Sequence, residues 1–243
     1  MSQNESGMRF WHHAGIDNAD IFPELDDDML RLMEIDAPSK RVPFNPVRTS
    51  PGSPLRIMFV GLNAAADDSD FAEAHQQRNF TEWCQDNYNT KFCRVIDKYR
   101  FGLHRDYLGD GSLYFTDFVK VVLRESSFGR EHRIVSLLNT NRQLRQVFRR
   151  RLQPEVEGAA SEGCRIWICF GNNATRYFDE TVADVQAMRS GSTQRHADGA
   201  RLAIFTRVGH NCLRVWEKHY AFCDWRLTND LVTQTNAWLC GDS

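Results

Sequence analysis

The 243-residue chain is predicted to be an α/β protein, a three-layer α/β/α sandwich around a central four-stranded parallel sheet. Three observations predict this class. Short apolar runs alternate with longer stretches of helical periodicity. The runs are nearly continuous, as in strands that are buried on both faces of a sheet. Polar residues follow three of the runs directly, as they do at the carboxyl ends of parallel strands, where ligands bind.

The first part of the chain, residues 1–54, is expected to be an N-terminal extension to one domain of residues 55–243. A short helix is predicted over residues 21–33. Four prolines then interrupt regular structure: Pro43, Pro46, Pro51 and Pro54.

The rest of the chain alternates strands and helices. Strands are predicted at residues 55–62, 113–117, 165–170 and 201–206. Helices are predicted at residues 71–88, 91–100, 140–152 and 213–239, with a further helix beginning near Gly171-Asn172-Asn173. This alternation favours a parallel sheet over an antiparallel one.

Composition is ordinary for a globular protein, with 42% hydrophobic and 26% charged residues. No apolar run reaches the about 18 residues that a membrane span needs, and the polar amino terminus predicts no secretion. Seven cysteines without a C-x-x-C pair argue against a zinc or iron–sulfur site and favour the reducing cytoplasm. We therefore expect a cytoplasmic protein without metal or cofactor.

The net charge of -2 is not typical of a nucleic-acid-binding protein. One helical stretch is nevertheless strongly basic: Arg142, Arg145, Arg149, Arg150 and Arg151. This face either contacts phosphates or is a solvated helix face that pairs with acids elsewhere, and the sequence leaves both open.

Three short motifs follow predicted strands. They are Gly61-Leu62-Asn63-Ala64-Ala65, Thr116-Asp117-Phe118-Val119-Lys120 and Val208-Gly209-His210-Asn211-Cys212-Leu213-Arg214. Because the carboxyl ends of parallel strands meet at one edge of a sheet, we expect Asn63, Asp117 and His210 to line one crevice. An amide, a carboxyl and an imidazole form a small polar cup that suits one heterocycle.

The order and spacing of these motifs resemble the uracil-DNA glycosylase superfamily, closest in style to the mismatch-specific uracil/thymine-DNA glycosylases. Members commonly carry G-x-N-P-G or G-Q-D-P-Y, then T-N-x-V-K, then H-P-S. Here two alanines follow Asn63, Asp117 replaces the second asparagine, and Pro-Ser is missing after His210. The resemblance spans roughly residues 55–238 at low identity.

The resemblance implies a monofunctional, monomeric DNA N-glycosylase that acts on a base flipped out of double-stranded DNA, or on single-stranded DNA. In the catalytic roles, Asn63 positions the water and His210 stabilises the leaving base. The implied base-binding residues are Gly61, Leu62, Ala65, Asp117 and a stacking aromatic, Phe80 or Tyr88. The implied DNA contacts are Lys120, Asn172, Asn211, the wedge Leu213 and Arg214.

Asp117 also bears on the choice of base. An ionised carboxylate only accepts hydrogen bonds, so it favours the exocyclic amine of cytosine over the O4 carbonyl of uracil. Ala65 leaves room at the pyrimidine C5, where uracil-specific relatives carry a tyrosine. Together these residues indicate a C5-substituted cytosine, such as the hydroxymethylated or glucosylated base of phage DNA, and an antiviral defence role beside DNA repair. A protonated Asp117, or one paired with Lys120 outside the pocket, removes this preference.

Two other functions fit the same residues. One is a non-catalytic nucleic-acid-binding protein that retains the fold. The other is an unrelated parallel α/β enzyme or nucleotide-binding domain, although the sequence contains neither G-x-G-x-x-G nor a Walker motif. The run Asp67-Asp68-Ser69-Asp70 is expected to be a loop or a helix cap and not a metal site.

Overall fold

A computed structural model describes residues 11–12, 18–50, 52–66, 90–128, 131–190, 201–219 and 222–241. Its strands are β1 (Trp11–His12), β2 (Val47–Arg48), β3 (Leu55–Gly61), β4 (Ala65–Ala66), β5 (Ser112–Asp117), β6 (Leu123–Arg124), β7 (Ile166–Phe170), β8 (Leu202–Arg207) and β9 (His210–Glu217). Its α-helices are α1 (Asp27–Leu32), α2 (Thr90–Gly102), α3 (Arg105–Leu108), α4 (Glu125–Phe128), α5 (Glu131–Thr140), α6 (Arg142–Ser161), α7 (Gly171–Ser190) and α8 (Trp225–Gly241). Two 3₁₀ helices span Asn18–Glu24 and Pro38–Lys40.

The main sheet is mixed and has seven strands in the order β1-β2-β5-β3-β7-β9-β8, while β4 and β6 form a separate parallel ladder. The predicted α/β class is confirmed. The prediction of a four-stranded parallel sheet is wrong, because antiparallel pairs extend the sheet on both sides: β2 with β5 and β8 with β9. Within it, β5, β3, β7 and β9 are adjacent and mutually parallel. No helix in the described ranges is long and apolar enough to cross a membrane.

Helices cover both faces of the sheet. Successive residues of β3 point to opposite faces and pack against different helices. Met58 and Val60 pack in one buried cluster with side chains of α5, α6 and α7. Ile57 and Phe59 pack in a second cluster with side chains of α2 and α8. The continuous apolar run that predicted β3 is therefore explained by burial on both faces.

The segment expected to be an N-terminal extension, residues 1–54, is built into this domain where it is described. Its strand β2 hydrogen-bonds to β5, and Ile21, Met29 and Met33 belong to the same core cluster as Met58. The helix predicted over residues 21–33 is divided into a 3₁₀ helix and α1. The division falls at Asp26, which caps α1 by accepting a hydrogen bond from the Met29 N–H.

The end of the chain differs from the prediction. Residues 210–217 form β9 and not the start of a helix, and α8 begins only at Trp225. Val208 and Gly209 have φ values of 50° and 79° and join β8 to β9 in a two-residue turn. Positive φ at both turn residues is characteristic of a type I′ hairpin.

The other predicted helices that lie within the described residues are present. Residues 91–100 fall in α2, residues 140–152 overlap α6, and α7 begins at Gly171 as predicted. The helix predicted at residues 71–88 lies outside the described residues.

The basic stretch on α6 is paired within the fold. The Arg151 guanidinium lies 2.6 Å from the Asp20 carboxylate and also contacts Glu24. Arg149 donates to the Glu180 carbonyl at 2.8 Å. These contacts favour the solvated, internally paired face over a phosphate-binding face.

Candidate functional site

The order of the parallel strands implies a crevice at their carboxyl ends. The chain passes from β3 to β5 on one side and later to β7 on the other side. The connections that leave the adjacent strands β3 and β7 therefore run in opposite directions, to β5 and toward β9, and ligands bind at such a switch point in open α/β sheets. The candidate site is therefore at the ends of β3, β5, β7 and β9.

Gly61 and Asp117 are register partners at the ends of β3 and β5. The Asp117 carboxyl is turned toward β3, because a Cβ added to Gly61 would lie only 2.0 Å from Asp117 Oδ1. A side chain at position 61 would collide with this carboxyl. Glycine at the end of β3 is thus what allows Asp117, which is partly exposed, to lie over the mouth of the crevice.

Asn63 follows β3 at the same edge and is half-buried. Its neighbours on both sides are fixed by backbone hydrogen bonds: the Val119 N–H donates to the Leu62 carbonyl at 2.9 Å, and the Leu123 N–H donates to the Ala64 carbonyl at 3.0 Å. Beyond it, Ala65 pairs with Leu123 in the β4–β6 ladder. The structure therefore brings Asn63 and Asp117 to one edge, as predicted.

Lys120 is not available for DNA, which corrects its predicted role. It is fully buried, and its ammonium lies 2.8 Å from Glu155 of α6. It also donates to Thr116 Oγ1 at 2.5 Å. Glu155 Oε2 in turn accepts from Thr116 at 2.6 Å and from the Tyr114 hydroxyl at 3.2 Å. The lysine of the second motif thus belongs to a buried polar cluster beneath Asp117.

Burial alters the pKa values of both Asp117 and Lys120. Loss of hydration raises the pKa of the Asp117 carboxyl to about 7, and the charge of Lys120 opposes the rise while that of Glu155 adds to it. Burial lowers the pKa of Lys120, and Glu155 opposes that change. Asp117 therefore divides between its neutral and ionised forms near neutral pH.

On the other side of the crevice, α7 begins directly at the end of β7. Asn172 lies in its first turn, is exposed, and accepts a hydrogen bond from Trp216 Nε1 at 2.8 Å. This places Asn172 at the same edge as Asn63 and Asp117. The first turn of a long helix also presents unbonded N–H groups and a partial positive charge.

His210 lies at the opposite edge, which corrects its predicted catalytic role. It pairs with Arg207 at the hairpin turn, whereas the parallel register of β9 with β7 runs from Leu213 to Glu217. Seven residues of extended chain separate the level of His210 from that of Glu217, which corresponds to about 23 Å. The physical reason is that β8 is antiparallel, so its carboxyl end lies where the parallel strands begin.

The remaining predicted DNA contacts on β9 are also displaced. Asn211 is exposed but lies at the hairpin edge with His210. Leu213 is buried in the core and cannot act as a wedge. Arg214 is 2% exposed, and its guanidinium binds both carboxylate oxygens of Asp179 at 2.9 and 2.6 Å. Arg214 therefore fastens α7 to the sheet.

His219 is the histidine that follows the fourth parallel strand. It lies two residues beyond the end of β9, is half-buried, and its ring centroid is 6.3 Å from that of Phe222. The strand end beneath it is fixed by Glu217, which is fully buried and accepts from the Tyr99 hydroxyl at 2.9 Å and from Thr228 at 3.3 Å. Burial raises the pKa of Glu217, although these hydrogen bonds oppose the rise.

Sequence reasoning missed His219 because residues 213–239 were predicted to be helical. The sequence gives little signal here, because Cys212-Leu213-Arg214-Val215-Trp216 does not alternate between apolar and polar residues. In the structure Leu213 and Val215 face one core cluster and Cys212 the other, as in a strand, and His219 then follows the end of β9 as Asn63 follows the end of β3.

Several predicted features fall outside the described residues. These are the aromatic candidates Phe80 and Tyr88 and the run Asp67-Asp68-Ser69-Asp70, while Ala65 is described only by its backbone. In the described ranges, no three histidines, cysteines or acids cluster as a metal site would require.

Comparison with known proteins adds no assignment. No protein-family model matches the chain, and no curated protein matches it significantly in sequence. Function is therefore inferred from the geometry of the crevice.

Proposed function

We propose that the crevice at the carboxyl ends of the parallel strands is the base pocket of a monofunctional DNA glycosylase. Its reaction is hydrolysis of the N-glycosidic bond of a flipped pyrimidine, which leaves an abasic site. The supporting observation is the parallel block β5-β3-β7-β9. It carries an amide, a carboxyl and an imidazole at or just beyond three of its strand ends: Asn63, Asp117 and His219.

These groups match the requirements of the reaction. Water adds its oxygen to the sugar C1′, the bond from C1′ to the base nitrogen breaks, and the departing base takes the electron pair and finally a proton. Asn63 orients the water by hydrogen bonding, since an amide is not a useful general base. His219 donates a hydrogen bond to O2 of the leaving base and so stabilises its negative charge.

Binding of the DNA backbone is assigned to the edge of the crevice. Asn172 and the first turn of α7 replace Lys120 and Arg214, which are engaged in internal ion pairs. A phosphate at this position is favoured by the helix dipole.

The substrate is a uracil-type base or a C5-substituted cytosine, recognised at its Watson–Crick edge by Asp117. The first substrate corresponds to DNA repair and the second to defence against phages with modified DNA. Both need the base outside the helix, which an enzyme achieves by flipping or by acting on single strands.

The test is a panel of oligonucleotides that contain uracil, thymine opposite guanine, cytosine, 5-hydroxymethylcytosine or its glucoside. Abasic sites are detected as strand breaks after hot alkali. We expect breaks at one or more of the modified or mismatched bases, and a loss of about 100-fold or more in the Asn63→Ala variant with DNA binding retained. Binding without breaks on every substrate would favour the non-catalytic nucleic-acid-binding protein instead.

A further inference from the structure

We infer that Asp117 is a proton-dependent specificity residue: its neutral form accepts a pyrimidine with a carbonyl at C4, whereas its ionised form favours a pyrimidine with an amine there. This inference rests on the proposed function. It changes the expected substrate from one base to two bases whose ratio depends on pH.

The Asp117 carboxyl has a defined position at the end of β5. Asp117 ends β5 in register with Gly61, and its Oδ1 occupies the space that a side chain on Gly61 would need. The carboxyl therefore lies over the end of β3, at the mouth of the crevice. A group in this position meets whatever edge a bound base presents.

Two charged side chains face Asp117. From the segment after β5 comes Lys120, and from α6 comes Glu155. Lys120 is already matched by Glu155 at 2.8 Å and by Thr116 at 2.5 Å, and the charge of Glu155 offsets part of the effect of Lys120 on Asp117. From β3 comes Gly61, which has no side chain, and Asn63 beyond it is uncharged. Burial then dominates and raises the pKa of Asp117 to about 7.

The neutral and ionised forms of Asp117 differ in their hydrogen-bonding capacity. A neutral carboxyl offers one donor and one acceptor, as an asparagine amide does, so it can meet O4 and N3–H of uracil. A carboxylate only accepts, so it opposes O4 with another acceptor. It still accepts a hydrogen bond from the exocyclic amine of cytosine. Deprotonation therefore slows the excision of uracil-type bases relative to that of amino-pyrimidines.

The experiment measures single-turnover excision of uracil and of 5-hydroxymethylcytosine from otherwise identical oligonucleotides at about pH 6 and about pH 8.5. For the native enzyme, the ratio of the uracil rate to the hydroxymethylcytosine rate should fall by about 10-fold, within the range expected for two opposed acceptors. The Asp117→Asn variant cannot titrate at this position, so its ratio should stay constant. In parallel, carboxyl-carbon NMR of the native protein should reveal a resonance that titrates with a midpoint near 7. The Asp117→Asn variant should lack this resonance.

Three results would overturn the inference, and they separate it from the proposed function. Excision with the same ratio at both pH values, or a midpoint for Asp117 near 4, contradicts the inference and leaves the glycosylase proposal standing. Absence of excision by both proteins at both pH values contradicts the glycosylase proposal, and the inference fails with it.

Discussion

Gly61 determines where the Asp117 carboxyl can lie. A Cβ at position 61 would approach Asp117 Oδ1 to 2.0 Å, closer than any real contact, so Gly61→Ala must displace the carboxyl or the end of β3. We expect this substitution to lower the free energy of unfolding by about 1 kcal/mol, the low end of the cost of overpacking, because Asp117 Oδ1 is the end of a side chain that can rotate. Urea denaturation at fixed pH measures it.

The matched control introduces the same methyl group where the carboxyl is absent. In an Asp117→Ala background, Gly61→Ala should cost distinctly less than it does in the native protein, because the atom that it would meet has been removed. Equal losses in the two backgrounds would mean that the contact with Asp117 is not what requires glycine.

At the residue scale, the sequence predicts which residues lie at strand ends better than it predicts which side chains pair with one another. Asn63 and Asp117 were placed correctly because each follows a continuous apolar run, and such runs mark buried strands. The fate of Lys120 depends on Glu155, which is 35 positions later on α6 and meets it only after the helix packs on the sheet. Periodicity carries no information about such a partner.

The turn of the β8–β9 hairpin contains a residue, Val208, that is poorly suited to its backbone conformation. Val208 has φ of 50° and is 51% exposed. A β-branched residue is unfavourable at positive φ, whereas asparagine is common there. Val208→Asn should therefore raise the free energy of unfolding by about 1 kcal/mol, measured by urea denaturation.

Base excision should be unchanged in Val208→Asn, because the hairpin lies at the opposite edge from the crevice. A less stable protein would contradict the turn geometry. A stable protein with impaired excision would contradict the position of the site.

The same hairpin explains why the prediction of a helix at residues 213–239 is wrong for its first part, which belongs to β9. Val-Gly is not a usual type I′ pair, so the turn gave no clear signal. The apolar residues of β9 are also few enough that both a helix and a strand fit them. Pairing with β7 decides between the two, and that contact is distant in sequence.

For the molecule as a whole, Asp117 makes stability depend on pH. Its pKa is raised from 3.8 to about 7 on folding, so the folded protein binds a proton that the unfolded chain releases in this interval. The stabilising contribution of Asp117 to the free energy of unfolding is therefore fully present below about pH 4 and is lost as pH rises through about 7. Asp117→Asn stays neutral throughout.

We therefore compare the free energy of unfolding of the variant with that of the native protein. This difference should rise in favour of the variant by about 2–4 kcal/mol from pH 4 to pH 8, since each pKa unit corresponds to about 1.4 kcal/mol. Glu217, whose pKa is also raised, is present in both proteins and cancels in the difference. Urea denaturation at both pH values gives the result. A difference that does not change with pH would contradict a raised pKa for Asp117.

The topology of the whole molecule also separates the features of the fold that the sequence predicts from those that it does not. The α/β class followed from alternating elements, but the mixed sheet did not, because β1 and β2 are only two residues long each. The contribution of residues 18–48 to the core likewise appears only when Ile21 and Met29 pack against the sheet. Short strands and remote packing leave little periodicity to detect.

The most direct test of the account compares two histidines that the topology places at opposite edges of the sheet. His219 follows the fourth parallel strand at the crevice, whereas His210 begins that strand at the far end. We predict that His219→Ala lowers the single-turnover rate of pyrimidine excision by about 100-fold or more while DNA binding is retained, because a donor to the departing base is lost. His210→Ala, the matched control, should excise at the native rate. Loss of excision in His210→Ala with native activity in His219→Ala would contradict the account.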